Sequence, residues 1–393
     1  MNILFLMKNF ELGGIEVVST VLARAFMAHG HRCAFFTLEE PHPMVRTRIP
    51  DGAALYVRTD KRVTKANVSA LRKVLLDEQT DVIINQWGLP FAPTLIARLA
   101  RRGLGVRYIS VYHNSPDTNA RIQDVLMAAA QAASTWTTQM LKCKLWAVKL
   151  LSRWSMRYVY AQSDCYVLLS PSFVGKFCSF CHLPKESKLV TITNPLTLPE
   201  EQCIYHEELK QKWVICMGRM DHNQKRVGRV VDVWERLCRR FPDWQLHFVG
   251  DGPERHAMEQ RVARQGLSNV FFDGFSQPVP YYQSAAALIQ TSEYEGFPLV
   301  LAEAMCFGVV PVIYGSYSAV YDIIEHGSNG LIAHYNPAGF DADAMASLLA
   351  RVMEDADERR RLAARAAQVK QRYAVDEIYR RWCPVLGIDN TFE

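Results

Sequence analysis

Two carboxylates, Glu295 and Glu303, stand eight residues apart in the stretch EYEGFPLVLAE. An apolar run, predicted as the strand Ala286–Thr291, precedes the stretch, and Pro298 is typical of a helix start because its φ is fixed and it lacks an N–H. The N-terminus of such a helix suits a phosphate. Glu295 would stand on the loop beside that phosphate. Glu303 would lie inside an apolar helix, where a carboxylate is costly unless it is hydrogen-bonded. A ribose diol would supply two donors, and the alternative is that Glu303 forms a local cap or ion pair.

Two cations follow the carboxyl end of another predicted strand, Trp213–Gly218. The side chains of Arg219 and Lys225 could clamp the oxygens of a diphosphate. The alternative is a solvated, charged helix face, because Arg226 and Arg229 follow on the same segment. The residues alone leave both interpretations open.

The N-terminal half offers two weaker signals. His113 follows the predicted strand Val106–Tyr112, where its imidazole could donate to a sugar or a leaving group, although a lone histidine is more often structural. Gly13 and Gly14 follow the first predicted strand and permit a positive φ and close approach of the backbone to a ligand. A plain tight turn is an equally good interpretation, and the pair lacks the G-x-G-x-x-G pattern of dinucleotide-binding sites.

The stretch EGFPLVLAEAMCFGVVPVI resembles the E-x7-E signature of the family-4 retaining glycosyltransferases, which have the GT-B fold. The resemblance covers most of the chain and is clearer in the C-terminal half. It implies that the nucleotide and diphosphate of a sugar donor bind the C-terminal domain. The donor-binding residues that it implies are Gly13, Gly14, Arg219, Lys225, Gly296, Phe297, Pro298, Leu299 and Glu303. The catalytic residues that it implies are His113, Glu295, Arg219 and Lys225.

Two positions depart from the family pattern. Glycine usually follows the clamp lysine, and here the residue is Arg226. The loop after Ile313 usually carries a Gly-Gly pair and then a glutamate, and here the segment Gly315–Ser318 leads to Asp322. The first departure leaves the path of the phosphate-contacting loop open, and the second is expected to reshape donor recognition.

Short apolar runs alternate with helical patterns along the chain, and continuous Val, Ile and Leu runs are typical of parallel strands buried on both faces. The predicted strands are Asn2–Met7, Arg32–Leu38, Asp81–Asn85, Val106–Tyr112, Asp164–Leu169, Lys188–Thr193, Trp213–Gly218, Gln245–Gly250, Val270–Phe272, Ala286–Thr291, Val309–Ile313 and Gly330–Ala333. The alternation restarts after a polar stretch near residue 205. The pattern therefore predicts an α/β protein with two doubly wound, Rossmann-like domains facing a cleft.

The predicted organisation has four parts. An N-terminal acceptor-side α/β domain spans residues 1–198, and a linker spans residues 199–212. A nucleotide-sugar-binding α/β domain spans residues 213–372. A C-terminal helix, residues 373–393, is a candidate for packing back on the N-terminal domain.

Composition is that of an ordinary globular protein, with 49% apolar and 22% charged residues in 393. The N-terminus lacks the features of a signal peptide, and no apolar run is long enough for a transmembrane helix. Ten scattered cysteines fit reduced thiols, and the C-x-x-C-H match at residues 178–182 is not expected to hold haem because no export signal accompanies it. The sequence thus predicts a cytoplasmic protein without a metal or cofactor.

Charge is unevenly distributed, since residues 1–196 carry 24 Lys and Arg against 13 Asp and Glu, whereas the net charge of the whole chain is +5. Within this half, the segment 125–162 has no acidic residue and interleaves tryptophans with cations. On a helix its cations share one arc, which suits an anionic bilayer or, equally, a solvated face packed on the domain. The residues predicted for membrane or acceptor contact are Lys142, Trp146, Lys149, Arg153 and Arg157.

These signals together predict a retaining, metal-independent glycosyltransferase of polysaccharide synthesis. It would move a hexose or N-acetylhexosamine from a nucleotide-sugar, with UDP-sugars favoured, to a glycan or lipid-linked glycan acceptor. Peripheral attachment to the inner face of the cell membrane is a further expectation, and nucleic acid is not an expected partner. Two alternatives stay open: a sugar-nucleotide 2-epimerase on the same fold, and a non-catalytic module that binds sugar nucleotides or lipid.

Overall fold

A computed structural model describes residues 1–8, 10, 13–130, 132, 134–184 and 187–388. The chain divides into two compact units. The N-terminal unit runs from Met1 to Thr197 and also takes in the C-terminal segment that begins at Ala374. The C-terminal unit is Leu198–Tyr373.

The N-terminal unit is built on a parallel sheet of seven strands in the order β3-β2-β1-β4-β5-β6-β7. The order reverses between β1 and β4, which is the doubly wound arrangement whose ligands bind at the carboxyl ends of the strands. The strands are β1 (Asn2–Met7), β2 (Arg32–Thr37), β3 (Ala54–Val57), β4 (Val82–Asn85), β5 (Arg107–Tyr112), β6 (Cys165–Leu168) and β7 (Leu189–Thr191).

Helices connect these strands, as parallel pairing requires. They are α1 (Gly14–Ala28), α2 (Pro43–Arg46), α3 (Lys65–Asp77), α4 (Phe91–Ala100), α5 (Ala120–Ala130), α6 (Thr135–Gln162) and α7 (Ser172–Cys181). The longest, α6, has 28 residues and begins where the side chain of Ser134 accepts a hydrogen bond from the Thr137 amide, 3.1 Å away. An exposed N-terminal cap of this kind marks a well-defined start for the helix.

The C-terminal unit is built on a second parallel sheet, of six strands in the order β10-β9-β8-β11-β12-β13. Its strands are β8 (Gln211–Met217), β9 (Gln245–Val249), β10 (Val270–Gly274), β11 (Ala285–Gln290), β12 (Val310–Gly315) and β13 (Leu331–His334). The order reverses between β8 and β11. The carboxyl ends of these two strands are therefore the expected place for a ligand.

The helices of this unit are α8 (Gly228–Leu237), α9 (Arg255–Gln265), α10 (Pro278–Ser284), α11 (Leu299–Cys306), α12 (Ala319–Ile323), α13 (Ala342–Glu354), α14 (Ala356–Ala367) and α15 (Val369–Tyr373). A 3-10 turn, Glu207–Leu209, precedes β8. The main core of the unit packs α8 and α13 against the sheet around the buried side chain of Trp234.

The C-terminal helix α16 (Val375–Leu386) belongs to the N-terminal unit and packs against α1. Tyr379 and Trp382 contact the ring of Phe26, with centroids 5.9 and 6.0 Å away. Tyr379 also stacks on His29 at 3.7 Å. This aromatic cluster holds α16 on the N-terminal unit.

The prediction of two doubly wound α/β domains is confirmed. Of the thirteen strands in the described residues, twelve fall on predicted runs, and the strand missed is β3. It is a four-residue edge strand whose residues are all only half-buried, so it lacks the continuous apolar run of a central strand.

Candidate functional site

The loops that follow β8 and β9 cross in close contact at the carboxyl edge of the C-terminal sheet. Gly250 has φ +141°, and a Cβ atom there would lie 2.1 Å from the carbonyl oxygen of Gly218. Gly252 has φ +156° and would meet the carbonyl oxygen of Met220 at 2.3 Å. A backbone hydrogen bond from the Gly218 amide to the Val249 carbonyl (2.9 Å) fixes the crossing. Only glycine fits at residues 250 and 252.

Asp221 organises the turn that carries Lys225. Its buried carboxylate accepts from the amides of Gln224 (2.6 Å) and Lys225 (3.2 Å), and it pairs with the guanidinium of Arg219 at 3.0 Å. Arg226 closes the turn with φ +52°, a left-handed conformation that glycine adopts at least cost. At this departure from the family pattern, arginine thus occupies a backbone conformation that suits glycine.

Glu295 lies on the loop between β11 and α11 and is buried. Its carboxylate accepts from the ammonium of Lys225 at 2.7 Å, and from the amide nitrogens of Gln224 and Gln290 at 3.2 Å each. The structure thus brings Lys225 and Glu295 into one buried ion pair. Such a pair needs the additional donors that the two glutamines supply.

Tyr317 joins this network from the loop after β12. Its hydroxyl donates to the side-chain oxygen of Gln290 at 3.2 Å, and burial, followed by the charge of Glu295, raises its pKa. Ser316 donates to the carbonyl of Ser292. The segment 315–318, which departs from the family pattern, therefore supports Glu295 through the hydrogen bond of Tyr317 with Gln290. Gln224, Gln290 and Tyr317 were not identified from the sequence, and their position beside the strand ends was the one available signal.

Arg219 points outward, with 66% of its side chain exposed, whereas Lys225 is 19% exposed. Both residues line a small cavity at the end of β8 together with Gly218, Thr291 and Ser292. Cations of this kind bind phosphate oxygens through charge-assisted hydrogen bonds. The cavity is placed at the reversal of strand order, where a doubly wound sheet binds its ligand.

Gly296 and Phe297 lie on the loop before α11, Pro298 directly precedes the helix, and Leu299 is its first residue. Phe297 is buried against the ring of Tyr373, 5.0 Å between centroids. Among these residues, the backbone N–H groups at the helix start are available to an anion.

Glu303 lies in the body of α11 and is buried. The hydroxyl of Tyr282 donates to its carboxylate at 3.0 Å, and burial together with this carboxylate raises the pKa of Tyr282. The tyrosine thus supplies one of the donors that a buried carboxylate requires. The predicted contact of Glu303 with a ribose stays a prediction.

At the N-terminal sheet, His113 follows β5 and Gln86 follows β4. The two side chains meet at 2.6 Å, between His113 Nε2 and Gln86 Oε1. Burial lowers the pKa of His113 to about 3, so the ring is neutral at physiological pH. Gln86 was not identified from the sequence.

The glycine pair does not use the positive φ that its residue type permits. Gly13 is the N-terminal cap residue of α1 with an extended backbone, φ −152° and ψ 172°, and Gly14 begins the helix. A Cβ atom on Gly13 would lie 2.7 Å from the carboxylate of Glu16. Leu12 lies outside the described residues.

The basic residues of α6 divide into two groups. Lys142 and Trp146 are exposed, and Lys149 is half-buried. Arg153 instead donates to the carbonyl of Phe180, and Arg157 to the carbonyls at residues 181 and 182. These two arginines satisfy C-terminal carbonyls of α7 and keep their charge, and Arg157 is exposed.

Within the part of the chain that the structure describes, no three His, Cys, Asp or Glu side chains are grouped to hold a metal ion. The Asp-x-Asp pairs at residues 341–343 and 355–357 begin helices, with Asp341 and Asp355 as N-terminal caps. Over the same described ranges, no helix is long and apolar enough to cross a membrane.

Fold and site together define a two-unit α/β protein with a cation-lined cavity at the edge of its C-terminal sheet. Residues 12–198 match the family model "Glycosyltransferase Family 4", and residues 200–369 match "Glycosyl transferases group 1". The chain therefore belongs to the family-4 glycosyltransferases.

Relatives and solved structures agree with this assignment. The chain is 24% identical over 204 residues to an uncharacterised glycosyltransferase of Haemophilus influenzae, which covers 51% of this chain and 56% of that protein. It is 23% identical over 396 residues, 98% of each chain, to the GalNAc-alpha-(1->4)-GalNAc-alpha-(1->3)-diNAcBac-PP-undecaprenol alpha-1,4-N-acetyl-D-galactosaminyltransferase of Campylobacter jejuni. The crystal structure of Anabaena HepE in complex with UDP superposes with a TM-score of 0.75 at 16% identity, covering 98% of this chain and all of that one. The chain thus has the GT-B fold, and it spans about half the length of the Haemophilus relative.

Proposed function

We propose that the protein is a retaining glycosyltransferase that moves a hexose or N-acetylhexosamine from a UDP-sugar to a glycan or lipid-linked glycan. The observation that carries this proposal is the buried pair of Lys225 and Glu295 beside the start of α11, at the strand reversal of a family-4 chain. The UDP complex of HepE and the undecaprenol-linked substrate named for the Campylobacter relative support the choice of donor and acceptor class.

In this mechanism the cations act on the leaving group. The bond between the anomeric carbon and the terminal phosphate oxygen breaks, and the nucleoside diphosphate departs. Arg219, Lys225 and the backbone N–H groups before α11 stabilise its charge, which is usually a large catalytic contribution. The acceptor hydroxyl bonds to the same face of the sugar and gives its proton to the departing phosphate oxygen. Lys225 must share its charge between Glu295 and the phosphate when the donor binds.

The proposal assigns no metal or cofactor to this step. A divalent ion on a diphosphate is usually held by carboxylates, and the two Asp-x-Asp pairs use Asp341 and Asp355 as helix caps instead. The sugar-nucleotide 2-epimerase alternative is not favoured, since the family matches and the relatives reported above are transferases.

The test is a binding screen of UDP-, GDP- and ADP-sugars followed by product analysis with glycan and lipid extracts. We expect UDP-sugars to bind, turnover to survive EDTA, and an α-linked donor to give an α-linked product by ¹H NMR. Turnover that is lost in EDTA and restored by Mg²⁺ or Mn²⁺ would refute the cationic clamp. Sugar conversion without acceptor would restore the epimerase, and binding without turnover would favour the non-catalytic module.

We further propose that α6 attaches this enzyme to the cytoplasmic face of an anionic membrane. Large apolar side chains recur along one exposed face of the helix: Trp136, Met140, Trp146, Leu150, Leu151 and Trp154. Lys142, Lys144 and Lys149 lie along the borders of this face. The helix carries no carboxylate, so a second copy of it would offer no complementary charge, whereas anionic headgroups would.

Co-sedimentation with vesicles tests the membrane proposal. We expect binding to phosphatidylglycerol–phosphatidylcholine vesicles and little to phosphatidylcholine alone. Each lysine near an anionic surface contributes about 1 kcal/mol, so Lys142, Lys144 and Lys149 changed to Gln should weaken binding on the order of 100-fold at low salt. The matched control removes the same charge elsewhere in the unit, with Lys65, Lys73 and Arg121 changed to Gln. Equal binding by the two variants would refute a role for α6.

A further inference from the structure

The turn that follows β4 is held rigidly against the end of β5. The side chain of Asn85 accepts from the amide of Trp87 at 3.1 Å, and the amide of Gly88 donates to the carbonyl of Val111 at 2.9 Å. The buried hydroxyl of Tyr166 donates to the Gly88 carbonyl at 2.7 Å. A Cβ atom on Gly88 would lie 2.8 Å from the Val111 oxygen, so the close approach requires glycine. The turn therefore offers a preorganised support for the side chain of Gln86.

Gln86 is 1% exposed, and its side chain makes one hydrogen bond with His113. The neutral imidazole carries one N–H, and the carbonyl oxygen of the amide can only accept. Nε2 of His113 therefore donates to Gln86 Oε1 across 2.6 Å, and Nδ1 keeps its lone pair. Over the described ranges of the chain, Gln86 Nε2 and His113 Nδ1 are buried without a hydrogen-bond partner.

These two atoms belong to the two side chains joined by a single hydrogen bond, where β4 and β5 end. Buried polar atoms of a native protein are nearly always paired, and unpaired ones at a strand end suggest a ligand that completes them. One atom is a donor and the other an acceptor. A sugar hydroxyl, which both donates and accepts, matches that combination.

We propose that Gln86 is a positioning residue that fixes His113 as its Nε2–H tautomer, and that the pair binds a neutral sugar through its hydroxyls. Gln86 Nε2 donates to a sugar oxygen, and His113 Nδ1 accepts from a sugar hydroxyl. The inference rests on the proposed function, which brings a sugar to this edge. It also changes the role expected from the sequence, because His113 accepts from the sugar instead of donating to it.

The arrangement further selects against an anionic group at this position. A phosphate or carboxylate oxygen can only accept, and it would face the lone pair of His113 Nδ1. By contrast, the groups proposed above to stabilise the diphosphate in the C-terminal unit, Arg219, Lys225 and backbone N–H groups, are all donors. The N-terminal pair is therefore specific for an uncharged group.

The tautomer can be read directly by long-range ¹H–¹⁵N correlation spectra of the full chain with ¹⁵N-labelled histidine at pH 7. The His113→Asn variant assigns the signal among the 11 histidines. We expect a protonated Nε2 and an unprotonated Nδ1 in the wild type. Gln86→Glu keeps an acceptor oxygen and should keep the proton on Nε2, whereas Gln86→Leu should give signals averaged between tautomers. A wild-type ring that is charged or protonated at Nδ1, or a tautomer unchanged in Gln86→Leu, would overturn the proposal.

Kinetics then test the contact with sugar. Loss of one neutral hydrogen bond should lower kcat/KM about tenfold in Gln86→Leu, with UDP affinity unchanged. Gln86→Glu should lose the donor to the sugar and show a similar decrease despite its normal tautomer. Full activity in both variants would overturn the sugar contact, and an equal loss of UDP affinity would mark the effect as structural. If the wild type turns over no nucleotide-sugar, the proposed function fails, and the spectra still decide the tautomer.

Discussion

The carboxyl edges of the two sheets carry different polar chemistry. In the C-terminal unit, the ammonium of Lys225 is paired with Glu295, and Asp221 and two glutamines complete the network. In the N-terminal unit, the neutral pair of Gln86 and His113 leaves two buried atoms without partners in the part of the chain described.

The difference follows from the cost of burying each kind of group. An unpaired neutral polar atom costs about 1–3 kcal/mol, whereas an isolated buried charge costs far more. A site for an anion must therefore keep its cation paired before the ligand arrives, and the ligand competes with Glu295 for Lys225. A site for a neutral sugar can keep unpaired atoms, and its ligand competes with no internal partner.

The largest effect that we expect concerns the rigidity of these two edges. Gly250→Ala would place a Cβ atom 2.1 Å from the Gly218 oxygen at a positive φ, and we expect a loss of at least about 3 kcal/mol in the free energy of unfolding. Gly88→Ala approaches the Val111 oxygen at 2.8 Å without a positive φ and should cost less, about 1–3 kcal/mol. Chemical denaturation followed by fluorescence measures both.

The control is Gly266→Ala, at φ +59° with no atom within 4 Å of the added Cβ. It should cost only about 1 kcal/mol, the price of the backbone conformation. If Gly250→Ala costs no more than this control, the two loops yield easily, and the C-terminal edge is not the more rigid one.

Much of the fold could be predicted because buried parallel strands are nearly continuous apolar runs. The edge strand β3 was missed since partial burial leaves it without such a run. Lys225 and Glu295 were identified by residue type and motif, and the structure brings them into contact. Gln224, Gln290 and Gln86 were not identified, because a neutral amide acquires its role from neighbours that are distant in sequence.

Where side chains meet across elements, residue spacing was a poor guide. Arg153 and Arg157 share an arc with Lys142 and Lys149 on a helical wheel, but the end of α7 takes their hydrogen bonds. The spacing of residues along one helix does not show which neighbouring helix ends beside them. The extended backbone of Gly13 and the approach of the Glu16 carboxylate to it are likewise not evident from the glycine pair.

A second, intermediate effect tests whether Glu303 belongs to the ligand site. If its carboxylate binds the ribose, Glu303→Gln should weaken binding of free UDP by about 10–150-fold, as the loss of a hydrogen bond to a charged group of about 1.5–3 kcal/mol implies. Tyr282→Phe is the matched control, because it removes the 3.0 Å hydrogen bond from the other side and keeps the carboxylate. Isothermal titration calorimetry and thermal melting of both variants give the two readouts.

The pair of variants separates a ligand contact from a structural one. In the first case UDP affinity falls in Glu303→Gln and is nearly unchanged in Tyr282→Phe. If both variants melt earlier by similar amounts and bind UDP like the wild type, Glu303 serves the packing of α11 on Tyr282 and the ribose contact is wrong. Either result shows whether the ligand site at the edge of the C-terminal sheet extends along α11 as far as Glu303.

The smallest effect concerns Arg226, the residue that stands where the family pattern has glycine. Its left-handed backbone costs roughly 1 kcal/mol, and burial lowers the pKa of its guanidinium, so its charge is not well solvated. In return it lies 3.6 Å from Glu293, which also pairs with Arg229 at 2.9 Å. Arg226→Gly removes the backbone cost, increases the entropy of the unfolded chain and leaves Glu293 one partner. We therefore expect a change within about 1 kcal/mol of wild type.

Arg226→Ala separates the two contributions, since it loses the ion pair and keeps the strained φ. The free energy of unfolding of Arg226→Ala should be lower than that of Arg226→Gly by roughly 1 kcal/mol, a difference that denaturant titration can resolve. Equal losses in the two variants would show that the contact with Glu293, and not the backbone, determines the residue's contribution. Arginine at this turn would then be a further case of a paired charge at the C-terminal edge, and its departure from glycine would reflect electrostatics instead of tolerance of strain.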